Sequence, residues 1–532
     1  MKRLTISSVL QSMCYGFAAL LLTASCTNDD TLQEGKQKKT DIPTGSTVFI
    51  GTSQPEATTR TAILNHTKGA GASVNWSSTD KIWVKDDADT WQQSATATIP
   101  SATNQSFATF ALSGTYTGAS HDIIYTNKAV TGSQPQVEIK ATQTQSAPNN
   151  FDHAGESGDC GMATGVKLGS GYNFSLNHKA SYLCLIPRTN NEYVKRSKLI
   201  KVEIMSDDEI AGTYNIAADG TLTLASGGSK TIIVTTGSGF AIDNTADDMS
   251  KNATYAVVAP GTHTFRIRYW LRNTTDSPIG AIEGTVSKIV TLNCTAGSIH
   301  DITANLNPRD YDGDRYYLWD AQEQYWKGHE WNHGGSQPTI SQYFPGATIS
   351  SDYAQSSADP NHRYYNESNL GYGVSNPAIH TSCKDLPNVN EMTWYVTKGD
   401  PRWDKDELWT TMGHLYKGGM WFKKKSVLQG EGNYNANTAV DGTDWRTANK
   451  GTYGSISSTL PSAADAGNYF YLPALGYYRF GRLYSVGSDG FYWSSSAYSW
   501  SSDATYRLSF SSGGVNMSFS GRNNGYRVDG FE

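Results

Sequence analysis

Between residues 47 and 306 the chain is written in short runs in which apolar and polar residues alternate one by one. Side chains two apart share one face of a strand, so this period restricts the region to half-buried antiparallel sheet. Examples are Lys81-Ile82-Trp83-Val84, Ser106-Phe107-Ala108-Thr109-Phe110, Gln136-Val137-Glu138-Ile139 and Tyr172-Asn173-Phe174-Ser175-Leu176. Leu183-Cys184-Leu185-Ile186 and Thr264-Phe265-Arg266-Ile267-Arg268-Tyr269-Trp270 continue the series, and glycine- and asparagine-rich gaps between them fit turns. Order is expected to begin near Thr47-Val48-Phe49-Ile50. Two consecutive β-sandwiches, residues 46–165 and 166–306, account for this stretch.

The texture changes at Asn307-Pro308-Arg309-Asp310, where aromatic clusters such as Tyr316-Tyr317-Leu318-Trp319 and helix signals begin. Asp400-Pro401 reads as a helix start, since aspartate caps free amides and proline is tolerated at the first helical position. Trp403, Leu408, Trp409 and Met412 then recur at near-helical spacing, and Gly413 offers a stop. A shorter helix is expected over residues 389–395. Residues 307–532 are therefore read as an α+β domain, and the fold class of the whole as mainly β.

Few charges, a net charge of -6 and a large aromatic complement (31 tyrosines, 14 tryptophans) give no basic stripe, so no nucleic-acid partner is expected. Beyond Cys26 no run approaches the roughly twenty apolar residues of a spanning helix. Cys160, Cys184, Cys294 and Cys383 are widely spaced with no CxxC pair, which favours isolated buried thiols over bridges or a zinc site.

Residues 1–26 have the layout of a secretory signal: Lys2 and Arg3, an apolar run over Phe17-Ala18-Ala19-Leu20-Leu21-Leu22, then Thr23-Ala24-Ser25 before Cys26. The end of this segment resembles the lipobox of exported bacterial lipoproteins, with Thr23 where a leucine is usual and Leu22 one place earlier. The resemblance implies lipidation of Cys26 and attachment to the outer membrane. Residues 27–45, which include Lys36, Lys38 and Lys39, read as a flexible tether.

The stretch Ala57-Thr58-Thr59-Arg60-Thr61, followed by Val74-Asn75-Trp76-Ser77-Ser78-Thr79-Asp80-Lys81-Ile82-Trp83-Val84, resembles the opening of fimbrillin-family lipoproteins, the subunits of type V pili. Phe174-Ser175-Leu176-Asn177-His178-Lys179-Ala180, Tyr255-Ala256-Val257-Val258-Ala259-Pro260-Gly261 and Ala296-Gly297-Ser298-Ile299-His300-Asp301-Ile302 are similar to later landmarks of that family. The resemblance covers roughly residues 45–306. It implies two β-sandwich domains, assembly with other pilus subunits by strand exchange, and removal of the first strand by a trypsin-like protease. Arg60 is the candidate cleavage point; Lys39 is the other basic site.

Phe470-Tyr471-Leu472-Pro473-Ala474-Leu475-Gly476-Tyr477, Gly490-Phe491-Tyr492-Trp493-Ser494-Ser495-Ser496 and Asn524-Gly525-Tyr526-Arg527-Val528 resemble the Fibrobacter-type major paralogous domain, related to C-type-lectin-like folds. The same tail resembles variable domains made by diversity-generating retroelements; no lysine or glutamine follows Lys450. Trp493 and Tyr526 are expected in the core, with the intervening loops facing outward. Tyr477, Tyr478, Arg479, Phe480, Arg482, Tyr484, Tyr498, Ser499, Trp500, Asp503, Arg522 and Asn523 are the candidate ligand-binding residues. Rigid aromatic faces beside adaptable polar groups suit recognition of an external protein or glycan.

One enzyme-like motif occurs, His329-Glu330-Trp331-Asn332-His333, which matches HExxH. Its chemistry needs both histidines on one helical face. Here Gly334-Gly335 follows at once, and a surface loop is the expectation. Asp310-Tyr311-Asp312-Gly313-Asp314 could suggest calcium, but Ala321 stands where an EF-hand loop requires glutamate. No cofactor, metal or catalytic residue is expected. The reading is a non-enzymatic adhesin at the cell surface, in a pilus, at a tip or accessory position. The alternatives are a surface metallohydrolase built on His329, Glu330 and His333, and a purely structural anchor subunit.

Overall fold

The computed structural model describes residue 43 and residues 45–52, 62–64, 66–69, 73–100, 105–277, 280–339, 349–367 and 373–531. Cys26, Lys39 and Arg60 lie outside the described residues. The fold is mainly β, and one nine-stranded sheet draws its strands from Thr142–Thr144 through Ile282–Cys294 to Arg402–Thr411 and Tyr469–Pro473, so distant parts of the chain share it.

The first sheet orders Trp91–Gln93, Trp83–Lys85, Ser120–Tyr125, Gly161–Leu168, Gly171–Phe174, Thr47–Thr52 and Phe107–Leu112, with Asn177–His178 beside Gly161–Leu168. Alternation sends Phe49, Val84, Phe110, Tyr172 and Phe174 inward, where they bury Trp76. The Trp76 ring meets Phe110 edge-on at 4.9 Å and Phe174 at 6.0 Å. That leaves no room above Gly51, where an added Cβ would lie 2.7 Å from the Trp76 ring.

The next region stacks three sheets around the largest core. Ser181–Arg188 lies between Thr254–Val258 and Ile299–Asn305, and its first seven residues are all buried. A strand covered on both faces loses the polar alternation of an edge strand. Against it packs a sheet built on the paired strands Gly261–Asn273 and Ile282–Cys294. Gln136–Ile139 and Thr142–Thr144 join sheets of this second region, whereas Gly161–Leu168 and Gly171–Phe174 belong to the first. The expected divide between residues 165 and 166 therefore falls inside a strand, because the chain crosses between the regions more than once.

Beyond residue 306 one expected element is overturned. The segment read as a helix from Asp400-Pro401 is the strand Arg402–Thr411, paired with His414–Lys423 across a turn at Met412-Gly413, φ 45° and 76°. Residues 405–407 bulge opposite Gly418 alone. This extra spacing sets Trp403 apart from Leu408 and Trp409 by an interval that imitates a helical repeat. The shorter helix is present as Val389–Lys398. Asn388 accepts from the Glu391 amide and the Glu391 carboxylate accepts from the Asn388 amide, a reciprocal cap. The helix packs on a six-stranded sheet that includes Asp489–Ala497, Ala504–Ser511 and Gly514–Gly521.

The bulge also ties the last region to the second. Glu407 pairs in register with Thr285, and its carboxylate accepts from the Ser287 amide (3.1 Å), the Ser287 hydroxyl (2.6 Å) and the Thr285 hydroxyl (3.0 Å). Arg268 donates to Asp404 (3.1 Å), and Arg266 to the Pro461 carbonyl (2.9 Å). Burial, with Asp404 close by, pushes the Glu407 carboxyl up to about 7, against the Ser287 hydrogen bonds and Arg268.

Candidate functional site

Two features bear on function: the position of the first strand and the aromatic surface of the last region. Thr47–Thr52 is an interior strand. It pairs antiparallel with Phe107–Leu112 from Thr47↔Leu112 to Thr52↔Phe107, and parallel with Gly171–Phe174 through Phe49↔Tyr172 to Gly51↔Phe174. Phe49 is fully buried, stacked on Tyr172 at 4.7 Å and edge-on to Tyr116 at 5.2 Å. Without this strand, two neighbours would present unpaired backbone groups beside an apolar trough.

In the last region Tyr477–Arg479 and Arg482–Tyr484 form a hairpin closed by Phe480-Gly481, both with positive φ (49° and 73°). Such a turn carries the Phe480 ring outward, 52% exposed, and a Cβ on Gly481 would strike the Ser350 carbonyl. Tyr477 stacks on Tyr484 at 5.1 Å and packs against Phe491 at 4.6 Å. A bridge between Tyr478 and Gly525 sets the hairpin beside the turn that holds Asn523. The Arg522 amide donates to the Asp503 carbonyl at 2.9 Å, which brings the loop with Trp500 to the same turn. Trp500 is 69% exposed, and Phe519, 44% exposed, stacks on Tyr498 at 4.0 Å.

The twelve candidate residues thus divide. Arg479, Phe480, Trp500, Asp503 and Asn523 are exposed, and Tyr477, Arg482 and Tyr484 are half-buried. Tyr478, Tyr498, Ser499 and Arg522 are buried, and their expected outward display is corrected. Each has its polar end matched internally. The Tyr478 hydroxyl donates to the Pro338 carbonyl (2.5 Å), that of Tyr498 meets Asn449, and Ser499 donates to the Ala448 carbonyl (2.6 Å). The Arg522 guanidinium lies 4.3 Å from the Trp319 ring centre, and burial lowers it to about 10. Phe519, stacked on Tyr498, is a further exposed aromatic of this surface that the sequence analysis did not single out.

The HExxH segment and the calcium-like Asp310–Asp314 run meet at one cavity of about 430 Å³ lined by Asp310, Asp312, Asp314, Glu330, Trp331 and His333. Trp331–His333 is a single 3₁₀ turn, and the Glu330 carboxylate accepts from Gln324 (2.9 Å). One turn of 3₁₀ helix does not set His329 and His333 on a common helical face. Among the described residues the one convergent group of three His, Cys, Asp or Glu side chains is His66, Cys184 and Asp301. The four cysteines of the folded body are buried and unbridged.

A model for a domain of unknown function, DUF8237, matches residues 459–531. No curated protein matches the chain. Among solved structures, a Bacteroides ovatus protein named for cell adhesion is similar at 13% identity and TM-score 0.30, over 48% of this chain and 91% of its own. The fimbrial anchor protein Mfa2 of Porphyromonas gingivalis is similar at 9% identity and TM-score 0.22, over 49% and 90%. A fimbrial protein of Bacteroides ovatus is similar at 10% identity and TM-score 0.23, over 91% and 98%.

Proposed function

We propose that this chain is a surface pilus subunit that accepts a neighbour's strand in its first sheet and binds an external protein or glycan through residues 307–532. The observation that carries the reading is the interior position of Thr47–Thr52, upstream of Arg60. Cleavage after Arg60 detaches this strand from the chain and frees it to leave. A donated strand then restores the hydrogen bonds to Phe107–Leu112 and Gly171–Phe174 and returns an apolar side chain to the place of Phe49. Before cleavage, lipid on Cys26 holds the chain at the outer membrane. The exposed Phe480 and Trp500, with Arg479, Asp503 and Asn523 beside them, supply the recognition surface.

The full chain, applied to glycan and protein arrays, is expected to retain a ligand that the double variant Phe480→Ser/Trp500→Ser releases with no change in melting. Equal retention by the double variant would move recognition elsewhere, and an unaltered chain that retains no ligand would leave a purely structural anchor. A tip or accessory position is tested by co-assembly with pilin subunits; recovery with subunits on both sides would contradict it.

A further inference from the structure

We infer that His66, Cys184 and Asp301 form a binding site for a divalent transition-metal ion of the zinc type, which clamps the segment following Arg60 onto the second β-region. Cys184 and Asp301 are register partners on the adjacent parallel strands Ser181–Arg188 and Ile299–Asn305, and His66 arrives from just beyond Ala62–Leu64. Their ligand atoms lie within 4.8 Å of one another, with His66 Nε2 2.8 Å from Asp301 Oδ1. His66 and Cys184 are buried, and the Asp301 side chain is 14% exposed. That opening gives an ion a way in and a water a fourth coordination place.

The donor set selects the ion. Imidazole, thiolate and carboxylate suit zinc and its neighbours, and an imidazole and a thiolate exclude calcium and magnesium. Charge agrees: thiolate and carboxylate together carry two negative charges, which a divalent cation neutralises. Among the described residues no lysine or arginine pairs with Asp301, since Lys68 and Arg188 are both engaged by Asp247. The Gly69 amide donates to Asp301 Oδ2 at 2.7 Å, an outer hydrogen bond of the kind that orients a ligating carboxylate. Among the described residues His66 Nδ1 is buried without a hydrogen-bond partner, and the ring meets Tyr255 edge-on at 6.1 Å. On binding, the Cys184 thiol proton passes to solvent and the imidazole proton moves from Nε2 to Nδ1, with no change of oxidation state. At zinc bond lengths, Nε2 and Oδ1 separate by roughly half an ångström.

The test is cobalt titration of the full chain after chelator stripping. The expected result is uptake of about one equivalent with a thiolate-to-cobalt absorption band, displaced by zinc. Cys184→Ser abolishes the band and Cys294→Ser leaves it. His66→Gln, outside the strand core, weakens binding by about tenfold or more. Far-UV circular dichroism establishes that each variant is folded; should Cys184→Ser unfold, His66→Gln decides. No thiolate band in the unaltered chain, a band that survives Cys184→Ser, or unchanged affinity in His66→Gln would overturn the site. None of these outcomes bears on strand exchange, so the two proposals fail separately.

Discussion

In the second region Gly261–Asn273 and Ile282–Cys294 pair residue against residue along their whole length. In the last region Arg402–Thr411 loses register after Asp404, bulges over three residues and ends at a tight turn. Around the first arrangement the second region buries aliphatic side chains such as Ile204, Ile232, Val234 and Ile267. The last region buries aromatics whose polar ends are matched to backbone carbonyls. Trp319 donates to Ser494 at 2.8 Å, Trp493 to Tyr317 at 2.8 Å and Tyr492 to Pro473 at 2.7 Å. The difference teaches that alternation specifies a region whose core is largely aliphatic, whereas an aromatic core also depends on where each hydrogen bond ends.

The sharpest way to break this contrast is Trp493→Ala. Trp493 is fully buried and its ring centre lies 4.2 Å from that of Tyr526. The loss is expected to be about 3–5 kcal/mol, seen as a lower denaturant midpoint for the last region. A smaller effect comes from the seam between the regions. The folded form raises Glu407 from its ordinary 4.5 to about 7, so it favours the protonated acid. That contribution is complete below about pH 4.5 and is lost as the pH rises through about 7. Glu407→Gln is therefore expected to recover roughly 2–3 kcal/mol at about pH 8 and little at about pH 4, read from urea midpoints at the two values.

Ile267→Val, in the alternating core, removes one methylene and is expected to cost about 0.5–1.5 kcal/mol. A larger cost would mean that the second region is as exacting as the last. The smallest effect on stability belongs to Trp500→Ala, within about 0.5 kcal/mol, with loss of array binding as its readout. A marked destabilisation there would assign Trp500 to the core.

Legibility followed the same division. Alternation reveals strands such as Phe107–Leu112 and Gln136–Ile139 because each has one buried face and one wetter one. It misleads at Trp403, Leu408, Trp409 and Met412, since a bulge leaves no mark in composition and its extra residues mimic a helical interval. The Asn388 and Glu391 pair, by contrast, is a local signal, and the helix it caps is where the sequence expects one. At the candidate surface, residue type identified the aromatics but not their direction. Tyr478 and Phe480 are two apart, yet the turn at Phe480-Gly481 turns one ring inward and the other out. His66, Cys184 and Asp301 come from distant elements and converge only through strand pairing, so no spacing rule finds them.

The central claim is that Thr47–Thr52 is a replaceable strand. Its most direct test is N-terminal sequencing and intact mass of this chain recovered from assembled filaments. We expect chains that begin at Thr61, lack residues 47–52 and, with one cysteine placed at Ala108, opposite Gly51, and another in the donated strand of the neighbour, form an intersubunit disulfide on treatment with an added oxidant. Filament-borne chains that still carry Thr47–Thr52 would contradict strand replacement.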